Sequence, residues 1–109
     1  MTKEEINTEL YQKMFASQEK FTDYLLSLSP QEVLDRAYEY ICREDILLSL
    51  ECRDLPSKEA KALLSLPDPL ADIFRDFEKL ETNHMSDIFD TMESRAKKTI
   101  HKLSARETR

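Results

Sequence analysis

The amino-acid sequence predicts an all-α protein, a small bundle of about four helices with a long C-terminal helix. Three observations support this fold class. The 109-residue chain contains no glycine, which argues against the glycine-rich phosphate loops and tight hairpin turns of nucleotide-binding and all-β folds. Apolar residues recur at intervals of three and four, and Pro, Ser, Thr and Asp stand where helices would begin. A chain of this length fits one small domain with a modest core.

The first helix is predicted over residues 3–28. Thr2 and Glu5 have the spacing of a capping box, in which each residue satisfies a backbone N–H of the other. Apolar residues then recur at helical intervals, from Ile6 to Leu28. The pattern is weaker over residues 16–20, so a bend is possible there.

The second helix is predicted to begin at Pro30, because Ser29 can cap it and proline at the first helical position loses no hydrogen bond. It should continue to about Arg53. A short third helix follows with Ser57 as its cap, and Pro67 ends it.

The last helix is predicted to begin at Pro69 with Asp68 as its cap, and no helix breaker occurs between residues 70 and 103. At about 1.5 Å per residue such a helix is longer than a domain of this size is wide. Part of it must therefore project, pack on another copy or fray, and the weaker helix formers at 81–84 are the expected place for a kink. Its predicted interface residues are Met85, Ile88, Phe89 and Met92.

Three ionisable residues, Arg43, Glu44 and Asp45, interrupt the most apolar part of the second helix. The predicted buried face of this helix consists of Leu34, Ala37, Tyr38, Ile41, Leu48 and Cys52, with Glu44 and Asp45 beside its centre and Arg43 pointing away. A paired-carboxylate site for acid–base chemistry or metal binding is one interpretation. The favoured interpretation is a structural polar centre that holds the helices in register. The candidate partners of the two carboxylates are Arg36, Arg75, Lys79 or a tyrosine hydroxyl.

No catalytic, cofactor or metal-binding residue is predicted. Cys42 and Cys52 lie about 15 Å apart on a continuous helix, too far to bridge, and are expected to be reduced, buried and apolar in character. Glu81 and His84 have the Glu-x-x-His spacing of di-iron bundles, but the second motif such a site needs is missing. We therefore expect no enzyme and no cofactor.

Charge divides the chain unevenly. The net charge is −6, with +5 on residues 95–109 and −11 on residues 1–94. We therefore predict a helical domain over 1–96 and a basic C-terminal helix end or tail over 97–109. The tail is either a solvated helix end or a contact for nucleic acid or an acidic partner, through Lys97, Lys98, Lys102 and Arg106. The polar N-terminus and the lack of a membrane span predict a cytoplasmic protein.

Several segments resemble a bacterial family known as domain of unknown function 3848. They are "ELYQKMFASQEKF", "LSPQEVLDRAYEYICREDILLSLE", "LPSKEAKALLSLPDPLADIFRDFEKLET" and "DTMESRA". The resemblance covers residues 9–96 and leaves the tail outside. It implies an all-helical fold and a setting among the mobile-element genes of gut Firmicutes, and it supplies no activity or catalytic residue.

The sequence thus favours a small protein-interaction module that first binds itself, as an antiparallel homodimer through the last helix, and then an unknown protein partner. The alternative hypothesis is an inhibitor whose acidic body mimics nucleic acid and occupies a host nuclease or regulator. Nucleic acid itself is expected only at the tail, and no membrane contact is expected.

Overall fold

The computed structural model describes residues 1–80 and 84–107 and confirms the all-α fold class, with no strand in those ranges. It forms two compact units, Met1–Lys79 and Leu80–Arg109. The helices are α1 (Lys3–Leu26), α2 (Pro30–Asp35), α3 (Ala37–Cys52), α4 (Ser57–Leu64), α5 (Pro69–Glu78) and α6 (His84–Glu107). The predicted domain boundary between residues 96 and 97 falls inside α6.

Polar side chains begin three of these helices as predicted. The Thr2 hydroxyl accepts a hydrogen bond from the Glu5 backbone N–H, and Ser29 forms a complete capping box ahead of Pro30. The Asp68 carboxylate accepts from the Ala71 N–H at the start of α5. Each cap satisfies a backbone donor that the helix itself leaves unpaired. The predicted cap at Ser57 is wrong, because Pro56 precedes the first residue of α4 and makes no side-chain cap.

Two long helices predicted from the sequence are each divided. Arg36 interrupts the segment predicted as one helix from residue 30 to 53, with φ −109° and ψ 6°. Those angles lie in the bridge region between helical and extended backbone. Because of this turn, α2 and α3 pack on α1 as separate helices.

The second division separates α5 from α6. Helix α5 ends at Glu78, and the Lys79 N–H donates to the Asp76 carbonyl in a tightened last turn. The segment predicted as the last helix, beginning at Pro69, therefore contains two helices, and the sequence had left its continuity open. The kink predicted at 81–84 falls on Glu81–Asn83, outside the described residues, and on His84, the first residue of α6.

The core of the first unit forms around α1. Helix α1 contacts α2, α3, α4 and α5, and α3 also contacts α5. The buried residues of this core are Ile6, Leu10, Met14, Leu47, Ala60 and Leu70. Full burial of an aliphatic side chain of this size stabilises a fold by about 1.5–3 kcal/mol. The apolar stripe of α1, predicted from sequence spacing, is thus the centre of the unit, and α1 continues without interruption through residues 16–20.

A buried asparagine fastens the α3–α4 connection to α1. Asn7 is 3% exposed, and its amide nitrogen donates to the Lys3 and Leu55 carbonyl oxygens at 2.9 Å each. Its side-chain oxygen accepts from the Leu55 N–H at 2.9 Å. Both backbone groups of the partly buried Leu55 therefore have hydrogen-bond partners inside the protein.

The backbone is conformationally ordinary throughout the described ranges. No residue there adopts a positive φ angle and no peptide bond is cis. A glycine-free chain has no inexpensive way to adopt positive φ, so its turns use helical and extended angles. No described helix combines the length and apolar content needed to cross a membrane.

Candidate interaction surface and buried polar cluster

Helix α6 carries one apolar face along its length. At about 100° per residue, its apolar side chains fall within a stripe roughly 120° wide. The stripe consists of Met85, Ile88, Phe89, Met92, Ala96, Ile100 and Leu103. The six large side chains range from 42% exposed at Ile88 to 74% exposed at Met85. The four predicted interface residues therefore share one exposed helix face, and their contact with a partner remains a prediction.

The spacing of this stripe is symmetric about Ser94. Met92 and Ala96 lie two residues from Ser94, one on each side. Ile88 and Ile100 lie six residues away, and Met85 and Leu103 lie nine residues away. Phe89 is the one residue of the stripe without an apolar counterpart at equal distance, since Thr99 stands five residues from Ser94 on the other side. The helix therefore presents almost the same order of apolar positions from either end.

Charge is not symmetric along α6. The half from His84 to Ser94 carries three acids, and the half from Arg95 to Arg106 carries five bases. These residues are Asp87, Asp90 and Glu93, then Arg95, Lys97, Lys98, Lys102 and Arg106. All eight side chains are exposed. The four basic residues predicted as an anion contact thus extend from a regular helix, over roughly half of its circumference.

Arg43 lies inside the protein. The prediction that it points away from the core is wrong, because the residue is only 4% exposed. Its Nε donates to Gln18 Oε1 and its Nη2 donates to the Ser17 hydroxyl, both at 2.9 Å. Its Nη1 bonds the Glu39 carboxylate at 3.3 Å, and the guanidinium lies 4.5 Å from the centre of the Phe21 ring. The buried cation therefore has hydrogen bonds, an ion pair and an aromatic contact, which together offset the cost of its burial.

Glu44 and Asp45 are both exposed, so their predicted place on the buried face is also wrong. Glu44 still belongs to the polar cluster at its edge, because its carboxylate accepts from the Gln18 amide at 3.0 Å. Asp45 lies outside the cluster. The polar centre thus exists but combines Arg43 with side chains of α1, and the predicted partner residues have no part in it.

The physical reason for this error is that α3 is apolar nearly all round. Helical periodicity predicted a core face containing Leu34, Tyr38, Ile41 and Leu48, and these side chains are 55% to 68% exposed. The face that packs on the core instead contains Leu47, with Ile46 and Leu50 partly buried. The partners that make burial of Arg43 tolerable come from α1, and spacing within α3 carries no signal for them.

A chain of hydrogen bonds joins three helices at this cluster. The Ser17 hydroxyl accepts from Arg43 and donates to Asp68 Oδ1 at 2.8 Å. The same Asp68 oxygen accepts from the Ala71 N–H at 3.2 Å. The buried cation of α3 is therefore connected through α1 to the cap of α5.

The two cysteines are free, as predicted, but differ in environment. Cys42 is buried and Cys52 is exposed, so the predicted burial is wrong for Cys52. The pKa of Tyr38 is raised above its usual 10.0, mainly by a hydrogen bond with the Cys42 thiol. Tyr11 donates to the Glu51 carboxylate, and this bond is the main cause that raises the pKa of Tyr11 above the same value.

No metal site is found in the described ranges, where no three His, Cys, Asp or Glu side chains stand close enough to share an ion. His84 begins α6. The Glu81 of the predicted Glu-x-x-His motif lies outside the described residues.

No curated protein and no solved structure matches this chain. One family does: the sequence profile of the proteins of unknown function DUF3848 matches residues 6–100. The match extends past the resemblance noted over residues 9–96 and includes all of α2 to α5. The chain therefore belongs to the DUF3848 family of proteins of unknown function.

Proposed function

We propose that this protein is a small protein-interaction module that associates with a second copy of itself through α6, as an antiparallel pair of helices. The observation that carries the proposal is the symmetry of the apolar stripe about Ser94. In an antiparallel pair related by a two-fold axis at Ser94, residues at equal distances from it lie at the same height. Each apolar layer of one helix, except that of Phe89, then meets an apolar layer of the other.

The charged residues of α6 also favour an antiparallel pair. An antiparallel pair places the acidic half of one α6 beside the basic half of the other at both ends. A parallel pair places acids beside acids and bases beside bases, which is unfavourable. The unequal halves described above therefore favour the antiparallel arrangement over the parallel one.

Association with a partner would stabilise α6. Taken by itself, α6 has 24 residues and an apolar face that is exposed along its length. Most helical stability in proteins comes from packing of the apolar face rather than from the helix propensity of the residues. A second copy supplies that packing.

The first test is size-exclusion chromatography with light scattering, from low to high protein concentration. We expect a mass that rises toward that of a dimer. A strict monomer at every concentration would refute self-association.

The second test measures direction by disulfide trapping in a background with Cys42→Ala and Cys52→Ser. Two proteins are prepared, one with Met85→Cys and one with Leu103→Cys. An antiparallel pair brings these two positions together, so the mixture should form a disulfide-linked heterodimer while each protein alone does not. Crosslinking of each protein with itself, and none in the mixture, would show a parallel pair instead.

A second candidate function is an acidic inhibitor that occupies a nucleic-acid-binding protein. It is supported by a shallow recess that Glu4, Glu5, Glu9 and Asp54 line together, because clustered carboxylates can imitate a phosphate backbone. The test is competition with DNA for an immobilised basic nucleic-acid-binding protein. Reversing Glu4 and Glu9 to Lys should abolish competition, and an unchanged result would contradict this candidate.

A further inference from the structure

An exposed groove runs along the first unit between α1 and α3, with α2 closing one end. Its wider part has a volume of about 660 Å³ and is lined almost entirely by apolar side chains. Among these, Leu26 is 79% exposed and Leu34 is 68% exposed. Tyr40 and Ala37 of α3 line the same part.

The other end of the groove is acidic. A recess of about 170 Å³ adjoins the apolar part, and Thr22 lines both. Three carboxylates line this recess, those of Glu19, Asp23 and Glu44, and all three residues are exposed. Phe15 adds an aromatic wall that is 46% exposed.

The apolar part and the acidic recess lie one after the other along α1 and α3. Residue numbers rise along α1, from Phe15 in the recess to Leu26 in the apolar part, and fall along α3, from Glu44 to Ala37. From Phe15 to Leu26 is eleven residues of α1, or about 16 Å and three helical turns. The groove is thus long enough to hold about three turns of another helix.

We infer that this groove is a docking site for a basic amphipathic helix of another protein, with apolar side chains in the α1–α2–α3 end and Lys or Arg beside Glu19, Asp23 and Glu44. Apolar grooves between helices bind the apolar face of a partner helix through residues spaced i, i+3, i+4 and i+7. The carboxylates at one end select a partner that is cationic at the matching end, because opposite charges across an interface steer association and fix its direction. This site lies wholly within the first unit, and it does not depend on pairing of α6.

The test titrates a synthetic helical peptide into the full-length protein by isothermal titration calorimetry. The peptide is built from Ala and Gln, with Leu at i, i+3, i+4 and i+7 and Lys at i+10 and i+11, so the two groups span about 16 Å. The control peptide carries Glu in place of both Lys residues. We expect the Lys peptide to bind and the Glu peptide to bind at least about tenfold more weakly.

Protein variants locate the binding. Reversing both Glu19 and Asp23 to Lys should weaken binding of the Lys peptide by about tenfold or more. The matched control reverses Asp76 and Glu78 to Lys, which changes the net charge equally at a site that lines neither part of the groove, and should weaken it less than about threefold. All four side chains are exposed, so these variants should fold, and circular dichroism checks that they do.

The apolar end has its own variant, Leu34→Asp, which should also weaken binding by about tenfold or more. No binding of the Lys peptide, or equal loss in the two charge-reversed variants, would overturn the inference. Stronger binding of a peptide of residues 84–106, with the same sensitivity to Leu34→Asp, would overturn the assignment to another protein and make a second copy the occupant. Failure of α6 pairing would be seen separately, as a monomeric wild type that still binds the Lys peptide.

Discussion

Replacing Met92 by Glu tests the antiparallel α6 pair at its centre. Met92 stands two residues from Ser94 on the apolar stripe, so both copies of the substitution fall near the two-fold axis. The matched control is Ser94→Glu, which adds the same charge about half a turn away, on the opposite face of the helix. Only the first substitution should affect a pair that forms through the stripe.

The expected loss of dimer stability in Met92→Glu follows from the exposed fraction of the Met92 side chain. Met92 is 59% exposed, so somewhat more than half of its surface remains for a partner to cover. Full burial of a methionine side chain stabilises by about 1.5–3 kcal/mol, which gives about 1–2 kcal/mol for that fraction. A symmetric dimer contains the substitution twice, so the loss is about 2–4 kcal/mol, or roughly 30-fold to 1,000-fold in Kd. Desolvation of the new carboxylate adds to this loss.

Sedimentation equilibrium over a range of loading concentrations measures the dissociation constants of the wild type and of the two variants. We expect Met92→Glu to be monomeric where the wild type and Ser94→Glu are dimeric. Equal weakening by both substitutions would show that charge on α6, and not the stripe, controls association. A Met92→Glu dimer as tight as the wild type would refute the proposed interface.

Three further predictions concern the first unit. Arg43→Ala should lower the free energy of unfolding by about 2–4 kcal/mol in urea denaturation, because it breaks the ion pair with Glu39 and leaves the side-chain oxygen of the buried Gln18 without its donor; an effect below about 1 kcal/mol would contradict the role of the cluster. Asn7→Ala should cost about 2–4 kcal/mol in the same assay, since two backbone groups of the partly buried Leu55 lose their partners, and an unchanged midpoint would contradict this. Tyr11 has a pKa raised above 10.0 by its bond to Glu51, so the stability from that bond is present below pH 10 and is lost as pH rises through the folded-state pKa. Tyr11→Phe should therefore remove one late-ionising tyrosine from an alkaline absorbance titration, and the loss of an early-ionising one would refute the assignment.

The sequence was informative wherever one local rule decides the structure. Ser29 with Pro30 and Asp68 with Pro69 marked helix starts because capping and the fixed φ of proline act over a few residues. The α1 stripe was also predictable, because Ile6, Leu10 and Met14 recur every four residues on one side of the helix, and all three are buried. Periodicity likewise placed the four predicted interface residues on one face of α6.

Tertiary contacts decided the rest. In α3 the apolar residues nearly surround the helix, so packing on α1 selected the buried face and placed Arg43 inside it. No proline or glycine next to Arg36 marks the break in the sequence. The break arises where α2 and α3 pack separately on α1. The groove between α1 and α3 is lined by residues more than twenty positions apart in the sequence, such as Glu19 and Glu44. Their proximity depends on how the helices pack, so the sequence pattern did not predict the groove.

The absence of glycine has a consequence for the unfolded chain. An average protein of this length would contain about eight glycines, and each replacement of glycine at a compatible site stabilises by about 0.4–1 kcal/mol through the unfolded state. This chain needs no positive φ angle in its described ranges, so every residue there can carry a side chain without that strain. Its unfolded ensemble is therefore restricted before folding begins, which reduces the entropy that a small core must overcome.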